Sequence, residues 1–136
     1  MGLEARLEHV AIAVTDLDAA VAVYNAVLGR PATGREVVES EQVRIAFFDL
    51  GDSRLELLEP TVADSPVGRF LARRGPGLHH IALEVGDIEA ALERCQAAGL
   101  APIGEAPRRG AGGRRIAFLH PAGTGGVLLE LSARTG

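Results

Sequence analysis

Two histidines and two glutamates recur at matching places in this sequence. His9 opens the segment HVAIAVTDLDAAV, and His80 opens HIALEVGDIEAAL, which aligns with it without gaps at an offset of 71 residues. Glu56 and Glu130 lie inside two similar apolar runs, LELLEP and LLELSA. Neutral imidazole and ionised carboxylate groups are ligands for divalent metals. Because both residue types recur together, the pattern predicts that these four residues form a metal site.

The same residues have a structural interpretation, which the repeat makes less favourable. A single histidine in a strand is more often structural than metal-binding, but both histidines and both carboxylates occupy equivalent repeat positions. A glutamate between two leucines points away from them in a strand. If that face is interior, an unpaired carboxylate would cost several kcal/mol unless a cation or hydrogen-bond donors met it. The four residues therefore predict one bound ion rather than a chance cluster.

The donor set limits which ion could bind. Two imidazoles and two carboxylates suit an octahedral divalent ion and leave about two positions for water or substrate oxygens. Co²⁺ is the preferred candidate, and Mn²⁺, Ni²⁺, Zn²⁺ and Mg²⁺ are the alternatives. His79 alternates with His80 along the same run, and His120 precedes Pro121 at a strand end. Both are expected to be surface or supporting groups.

The secondary structure needed to position these residues also repeats. The alternating runs Leu7–Val14 and Leu78–Val85 predict strands. Asp16 and Asp87 are natural N-caps for the Ala-rich helices that follow, and Gly29 and Gly99 end those helices. Three further strand-like runs follow each helix, separated by Gly, Asp or Pro signals. They span 32–39, 41–50 and 53–60 in the first repeat, and 101–105, 114–119 and 126–132 in the second.

This order predicts an α+β fold made of two tandem βαβββ modules. The modules span 7–60 and 78–132 within a single domain, 1–136. Duplicated units commonly pack around a pseudo-twofold axis, which would bring the equivalent inward positions together in a half-closed β-barrel around the metal. Thr61–Pro76 is expected to be a linker with one or two helical turns, and Gly110–Gly113 a flexible loop.

Composition excludes several classes of function. A net charge of −4 with one Tyr and no Trp disfavours a nucleic-acid surface, which needs basic and stacking side chains. No run approaches the roughly 18 apolar residues of a membrane span, and Glu4 and Arg6 are unlike a signal peptide. Cys95 is the single cysteine, so neither a disulfide framework nor a cysteine zinc site is available. We expect a cytoplasmic protein that binds neither nucleic acid nor membrane.

The motifs resemble the vicinal-oxygen-chelate (glyoxalase/bleomycin-resistance) superfamily, and within it the methylmalonyl-CoA epimerase family. LEHVAIAVTDLDAAVAVYNAVLG, GDSRLELLEP, GLHHIALEV and GAGGRRIAFLHPAGTGGVLLEL carry the resemblance over nearly the whole chain. It implies an isomerase that interconverts the (R) and (S) forms of an acyl-CoA substrate, methylmalonyl-CoA. The α-proton is removed and returned through a metal-stabilised enolate. By analogy with the superfamily, we also expect a homodimer.

The resemblance also implies roles for individual residues. His9, Glu56, His80 and Glu130 correspond to the metal ligands, and Glu130 to a catalytic base as well. The family's second base falls near Arg44, and an arginine cannot act as a base at neutral pH. Glu39 or Glu41 could replace it if the strand register differs.

Three alternatives share parts of this pattern. A glyoxalase I-type isomerase (lactoylglutathione lyase) would use the same four ligand positions. The GAGG loop and the arginine pairs favour a coenzyme A thioester, whose phosphates need cations, over glutathione. The pairs are Arg73-Arg74, Arg108-Arg109 and Arg114-Arg115, and solvated loop charges are a simpler interpretation of them. A non-catalytic binding module would have an aromatic-rich cavity, which four Phe and one Tyr do not favour. A dioxygenase would use two histidines and one carboxylate, so a fourth protein ligand disfavours it.

Overall fold

The computed structural model describes residues 5–135 of this α+β protein. The described chain divides into two compact units. The first unit is 9–79, and the second unit comprises 80–135 together with 5–8. Glu4 and the outermost residues of the predicted 1–136 domain lie outside the described residues, and the single-domain assignment stays a prediction.

The first unit contains a βαβββ module followed by a helix. Its elements are β1 (Ala5–Ala13), α1 (Leu17–Leu28), β2 (Gly34–Val38), β3 (Val43–Asp49), β4 (Arg54–Pro60) and α2 (Pro66–Arg74), with β1 belonging to this unit from His9 onward. The strands pair in the order β2-β3-β4-β1, and only the β4–β1 pairing is parallel. Leu17 and Val21 of α1 pack on Ala46, Phe48 and Leu57 to form the core on one face of these strands.

The second unit repeats the arrangement. Its elements are β5 (Gly77–Val85), α3 (Ile88–Ala97), β6 (Pro102–Arg109), β7 (Arg115–Leu119) and β8 (Leu129–Ala133), with β5 belonging to this unit from His80 onward. The strands pair in the order β5-β8-β7-β6, and only the β5–β8 pairing is parallel. Ile88 and Leu92 of α3 pack on Ala117, Leu119 and Leu131. The predicted pair of βαβββ modules is confirmed.

Strand register shows that the repeat extends to individual pairings. Glu56 lies opposite Ala11 on β1 and opposite Phe47 on β3. Glu130 lies opposite Ala82 on β5 and opposite Phe118 on β7. Residues paired across neighbouring strands point to the same face. In each unit the Glu therefore faces away from the helix-covered core and shares its face with a Phe.

Both predicted N-caps and the predicted end of α1 at Gly29 are confirmed, whereas α3 ends at Ala97 with Ala98 as its C-cap, one residue before the predicted Gly99. The Asp16 carboxylate accepts from the backbone N–H of Ala19, and Asp87 accepts from Ala90, in each case at 3.1 Å. Gly29 ends α1 in the left-handed conformation with φ 72°, which a residue with a Cβ adopts only at a cost. None of the described helices is long and apolar enough to cross a membrane.

Several segments differ from the sequence prediction. The run 101–105 was too short, because β6 extends to Arg109 past a register shift between Ile103 and Arg108, and such an irregularity interrupts period-two alternation. The run 126–132 began too early, since β8 starts at Leu129. Glu39 and Glu41, which ended and began predicted strands, lie in a 3-10 turn instead. The linker contains a nine-residue helix, since Ser65 caps it and Pro66 fits its first turn. The glycine-rich loop contains a 3-10 turn over Ala111–Gly113.

The N-cap of α1 makes a testable contribution to stability. We expect Asp16→Ala to lower the free energy of unfolding by about 1 kcal/mol, because an orphan N–H of the first turn loses its acceptor. Denaturant unfolding measures the change. Asp18→Ala is the matched control, since Asp18 pairs with Arg35 at the surface with a side chain 84% exposed. That control should change stability by less than about 0.5 kcal/mol, and equal losses in both variants would contradict the capping role.

Candidate metal centre

The first unit holds a buried histidine and glutamate side by side. His9 lies on β1 and Glu56 on β4, and only 4% of His9 and 2% of Glu56 is exposed. The Nδ1 atom of His9 is 3.3 Å from the Oε2 atom of Glu56. His9 is two residues before Ala11, which is opposite Glu56, so both side chains lie on one face of the strands. The parallel pairing of β1 with β4 thus creates the contact.

The second unit holds the equivalent pair. His80 lies on β5 and Glu130 on β8, each 6% exposed. The Nε2 atom of His80 is 3.0 Å from the Oε1 atom of Glu130. The His80 ring also meets the ring of Phe118 edge to face, with centroids 5.2 Å apart. Each of the two units therefore brings together the His and Glu that the sequence predicted as ligands.

These pairs fit a divalent ion in chemistry and in spacing. Metal–ligand distances to His nitrogen and Glu oxygen are about 2.1 Å, so two ligands at a right angle lie about 3.0 Å apart. The His–Glu separations of 3.3 and 3.0 Å match this value. Buried carboxylates also need a cation or donors to offset the loss of hydration. The joint use of all four residues by one ion stays a prediction.

An arginine contacts the glutamate of the His9–Glu56 pair. The Nη2 atom of Arg54 lies 2.9 Å from the Oε2 atom of Glu56. The Arg54 guanidinium also stacks over Phe47, 4.8 Å from the ring centre. In the second unit Arg108 stacks over the equivalent Phe118 at 5.5 Å. Arg108 donates to the backbone carbonyls of Ile103 and Glu105. The sequence analysis missed Arg54, although its place two residues before Glu56 in a strand is a usable signal.

Arg44, near which the family's second base falls, lies on the helix-covered side of the strands. Arg44 lies opposite Glu59 on β4, and the two form an ion pair at 3.0 Å. Glu59 accepts from the backbone N–H of Leu17 at the start of α1, so Arg44 is on the helix side of the strands. Arg44 therefore does not share the face of Glu56. The β3 residues on the Glu56 side are Val43, Ile45, Phe47 and Asp49, because the strand alternates.

Other acidic residues are distributed around this face. Glu39 and Glu41 lie in the 3-10 turn between β2 and β3 rather than in a strand. Glu36 of β2, which the sequence analysis did not consider, lies opposite Ile45 and is half-buried. It therefore shares the face of Glu56. The signal that could have identified it is alternation along GREVV, in which Glu36 and Val38 share one face.

A second polar group was also missed, in the second unit. Glu84 lies opposite Ser132 on β8, on the same face as Glu130. Arg114 contacts Glu84 at 3.0 Å and the Ser132 hydroxyl at 3.3 Å, and lies 3.7 Å from Glu8. Ser132 is fully buried. Arg114 is thus held among carboxylates, which weakens the idea that its arginine pair serves a phosphate group.

Arg115 is also occupied. It forms a hydrogen bond with Glu89, and this bond is the main reason that the pKa of the Glu89 carboxyl lies below its usual value. The pairs Arg73-Arg74 and Arg108-Arg109 remain as sources of positive charge, and Arg74 stacks on Phe70 at 5.7 Å. Occupied guanidinium groups favour the simpler interpretation of the pair Arg114-Arg115.

The remaining two histidines make structural contacts. His79 meets the Phe70 ring edge to face, with centroids 4.9 Å apart. His120 accepts through Nδ1 from the backbone N–H of Ala122 at 3.1 Å, and so caps a short 3-10 turn. Neither contact involves a predicted ligand.

Comparison with known families identifies the class of protein. The model of the Glyoxalase/Bleomycin resistance protein/Dioxygenase superfamily matches residues 8–118, which include His9, Glu56 and His80. The match covers well over half of the chain. The chain therefore belongs to this superfamily, and its α+β fold is the fold of that class.

Similarity within the superfamily is to methylmalonyl-CoA epimerases. The mitochondrial methylmalonyl-CoA epimerase of Homo sapiens is 40% identical over 93% of this chain and 72% of its own length. A solved structure of a Streptomyces coelicolor methylmalonyl-CoA epimerase variant with 2-nitronate-propionyl-CoA has a TM-score of 0.91 and 42% identity, covering 96% of this chain and 98% of that one. An uncharacterized Bacillus subtilis protein, YqjC, is 44% identical over 93% of this chain and 90% of its own length. The resemblance stated from the sequence motifs is confirmed.

The four histidines allow a direct test of the metal centre. We expect His9→Ala and His80→Ala each to abolish tight divalent-metal binding while leaving a folded protein, because the remaining ligands cannot replace an imidazole. Metal content after dialysis against buffer measures the loss. His79→Ala and His120→Ala are matched controls that should keep the wild-type content. Full metal retention in both ligand variants would refute the site.

Proposed function

We propose that this chain is a divalent-metal-dependent epimerase that interconverts (R)- and (S)-methylmalonyl-CoA. One observation carries the proposal: each unit holds a buried His–Glu pair at an equivalent strand register. The 42% identity to an epimerase in complex with an acyl-CoA ligand supports the substrate class. A glyoxalase I activity would use similar ligands, but the characterised relatives described above are epimerases.

The proposed ligands of a single ion are His9, Glu56, His80 and Glu130. Co²⁺ is the preferred candidate among divalent ions, because nitrogen and oxygen donors together suit a transition metal. When bound, the ion would supply Lewis-acid stabilisation of the negative charge that develops on the substrate as the α-proton leaves. The choice between Co²⁺, Mn²⁺, Ni²⁺, Zn²⁺ and Mg²⁺ rests on metal analysis of protein purified without added metal.

Glu130 is proposed to transfer a proton as well as to bind the ion. The two glutamates differ in their surroundings. Arg54 stands two residues before Glu56 and contacts it at 2.9 Å, whereas the residue two before Glu130 is Leu128. A charge-assisted hydrogen bond stabilises the ionised form of a carboxylate and makes it a weaker base. Glu130 is therefore the better candidate for removing the α-proton of the substrate.

Epimerisation needs a second group that exchanges a proton on the other side of the α-carbon. Glu36 is our candidate, because it shares a face with Glu56 and is half-buried. Glu39 and Glu41, in the neighbouring turn, are the alternative candidates that the sequence predicted for this second group. Glu36→Gln, Glu39→Gln and Glu41→Gln, assayed for α-proton exchange from each epimer separately, would identify the group by loss of exchange from one epimer.

The contrast between the two glutamates generates a kinetic prediction. Glu130→Gln keeps the side-chain size and one ligating oxygen but removes the charge and the basicity. We expect epimerisation to fall by roughly 10²–10⁴-fold even at saturating metal. Glu56→Gln also keeps a ligating oxygen and removes no proposed base, so its activity should stay near wild type once metal is saturating.

Both variants are to be assayed for epimerisation and for α-proton exchange in deuterated buffer, at several metal concentrations. The dependence on metal separates weaker metal binding from a loss of chemistry. Equal damage in Glu56→Gln and Glu130→Gln at saturating metal would show that the asymmetric roles are wrong and that Glu130 is a ligand only.

We also propose that the protein is a cytoplasmic homodimer, by analogy with its superfamily. Light scattering at micromolar concentration should give twice the chain mass of 14.2 kDa. Addition of a chelator should leave that mass unchanged if the dimer does not depend on the ion. A mass of one chain under these conditions would contradict the proposal.

A further inference from the structure

Arg54 is placed to control the charge of the first metal-ligand pair. It lies two residues before Glu56 on β4, so both side chains occupy the same face. One Glu56 oxygen, Oε2, is 2.9 Å from the Arg54 guanidinium and 3.3 Å from His9. The Glu56 side chain is 3% exposed and the Arg54 side chain 22%. A largely buried cation thus contacts the same carboxylate oxygen that faces the histidine.

The guanidinium is held in position by its contact with Phe47. Its central carbon is 4.8 Å from the centre of that ring, within the range of a cation–π interaction. Phe47 lies directly opposite Glu56 across β3 and β4. The three side chains of Arg54, Glu56 and Phe47 therefore form one packed group.

We propose that Arg54 is a positioning residue that offsets the charge of Glu56 and thereby sets the metal affinity of the site. The inference rests on the proposed function. Two carboxylates alone would cancel the charge of a divalent ion, which would bind tightly but act as a weak Lewis acid. Arg54 returns one positive charge next to the site. The ion then binds less tightly and polarises the substrate more strongly.

The size of the effect follows from Coulomb's law. A unit charge and a divalent ion about 6 Å apart at an effective dielectric constant of about 20 change a binding constant by roughly 10⁴-fold before solvent screening. Partial exposure of Arg54 to solvent screens this interaction. We therefore expect loss of the Arg54 charge to tighten metal binding by about 10- to 100-fold.

The second unit supplies a matched control residue. Arg108 stacks over Phe118, the counterpart of Phe47, and donates to backbone carbonyls at 3.1 and 3.2 Å. Arg108→Met removes an arginine with a similar aromatic contact. Arg54→Lys keeps the positive charge, and Arg54→Met removes it at a similar length. The double variant Arg54→Met/Glu56→Gln removes both charges of the pair.

The experiment measures the affinity of metal-free protein for Mn²⁺ by competition with a chelating indicator, together with thermal unfolding of the same metal-free samples. We expect Arg54→Met to bind Mn²⁺ about 10- to 100-fold more tightly and to unfold at a lower temperature, because Glu56 is left buried without its cation. Arg54→Lys and Arg108→Met should bind Mn²⁺ with nearly wild-type affinity, and the double variant should bind it more tightly than Glu56→Gln does. Glu56→Gln alone should bind it more weakly.

Unchanged or weaker Mn²⁺ binding by folded Arg54→Met would overturn the inference, since a purely structural role predicts lower stability without tighter binding. If Arg54→Met does not fold, Glu56→Gln is compared with the double variant. The same Mn²⁺ affinity in those two proteins would likewise overturn it. Absence of Mn²⁺ binding by the wild-type protein would instead refute the proposed metal site, so the two failures are distinguishable.

Discussion

Burial of two glutamates, Glu56 and Glu130, is the constraint on which the rest of this structure depends. Glu56 and Glu130 are at most 6% exposed, and a buried carboxylate is stable only when cations or hydrogen-bond donors surround it. Parallel pairing of the first and last strand of each module places a histidine within 3.3 Å of each one. The helix of each module covers the opposite face, which leaves the ligand face for polar chemistry.

The two modules share the His–Glu pairs and differ in the surroundings of those pairs. Both modules keep a His, a Glu and a Phe opposite the Glu. The residue two positions before the glutamate is Arg54 in the first module and Leu128 in the second. In the second module Glu84, Arg114 and Ser132 contact one another. The residues at the corresponding positions of the first module are apolar, namely Ala13, Val43 and Leu58 in the same order. The two carboxylates therefore have different electrostatic surroundings. The proposed roles need such a difference, since Glu56 would only bind metal while Glu130 would also move a proton.

The sequence predicted those features that depend on local chemistry and on repetition. Asp16 and Asp87 cap their helices as expected, because a short carboxylate reaches the first-turn N–H groups whatever the tertiary context. The His–Glu pairs followed from matching repeat positions. Features that depend on strand register could not be predicted from local pattern. Arg44 faces the helix, and the irregular β6 continues past residue 105.

The central claim is that one divalent ion, bound by both His–Glu pairs, is required for epimerisation. The direct measurement is a titration of metal-free protein with Co²⁺, in which epimerase activity and bound ion per chain are followed together. The account predicts negligible activity without metal and a plateau at one ion per chain. Full activity of the metal-free protein, or a plateau only at two ions per chain, would contradict it.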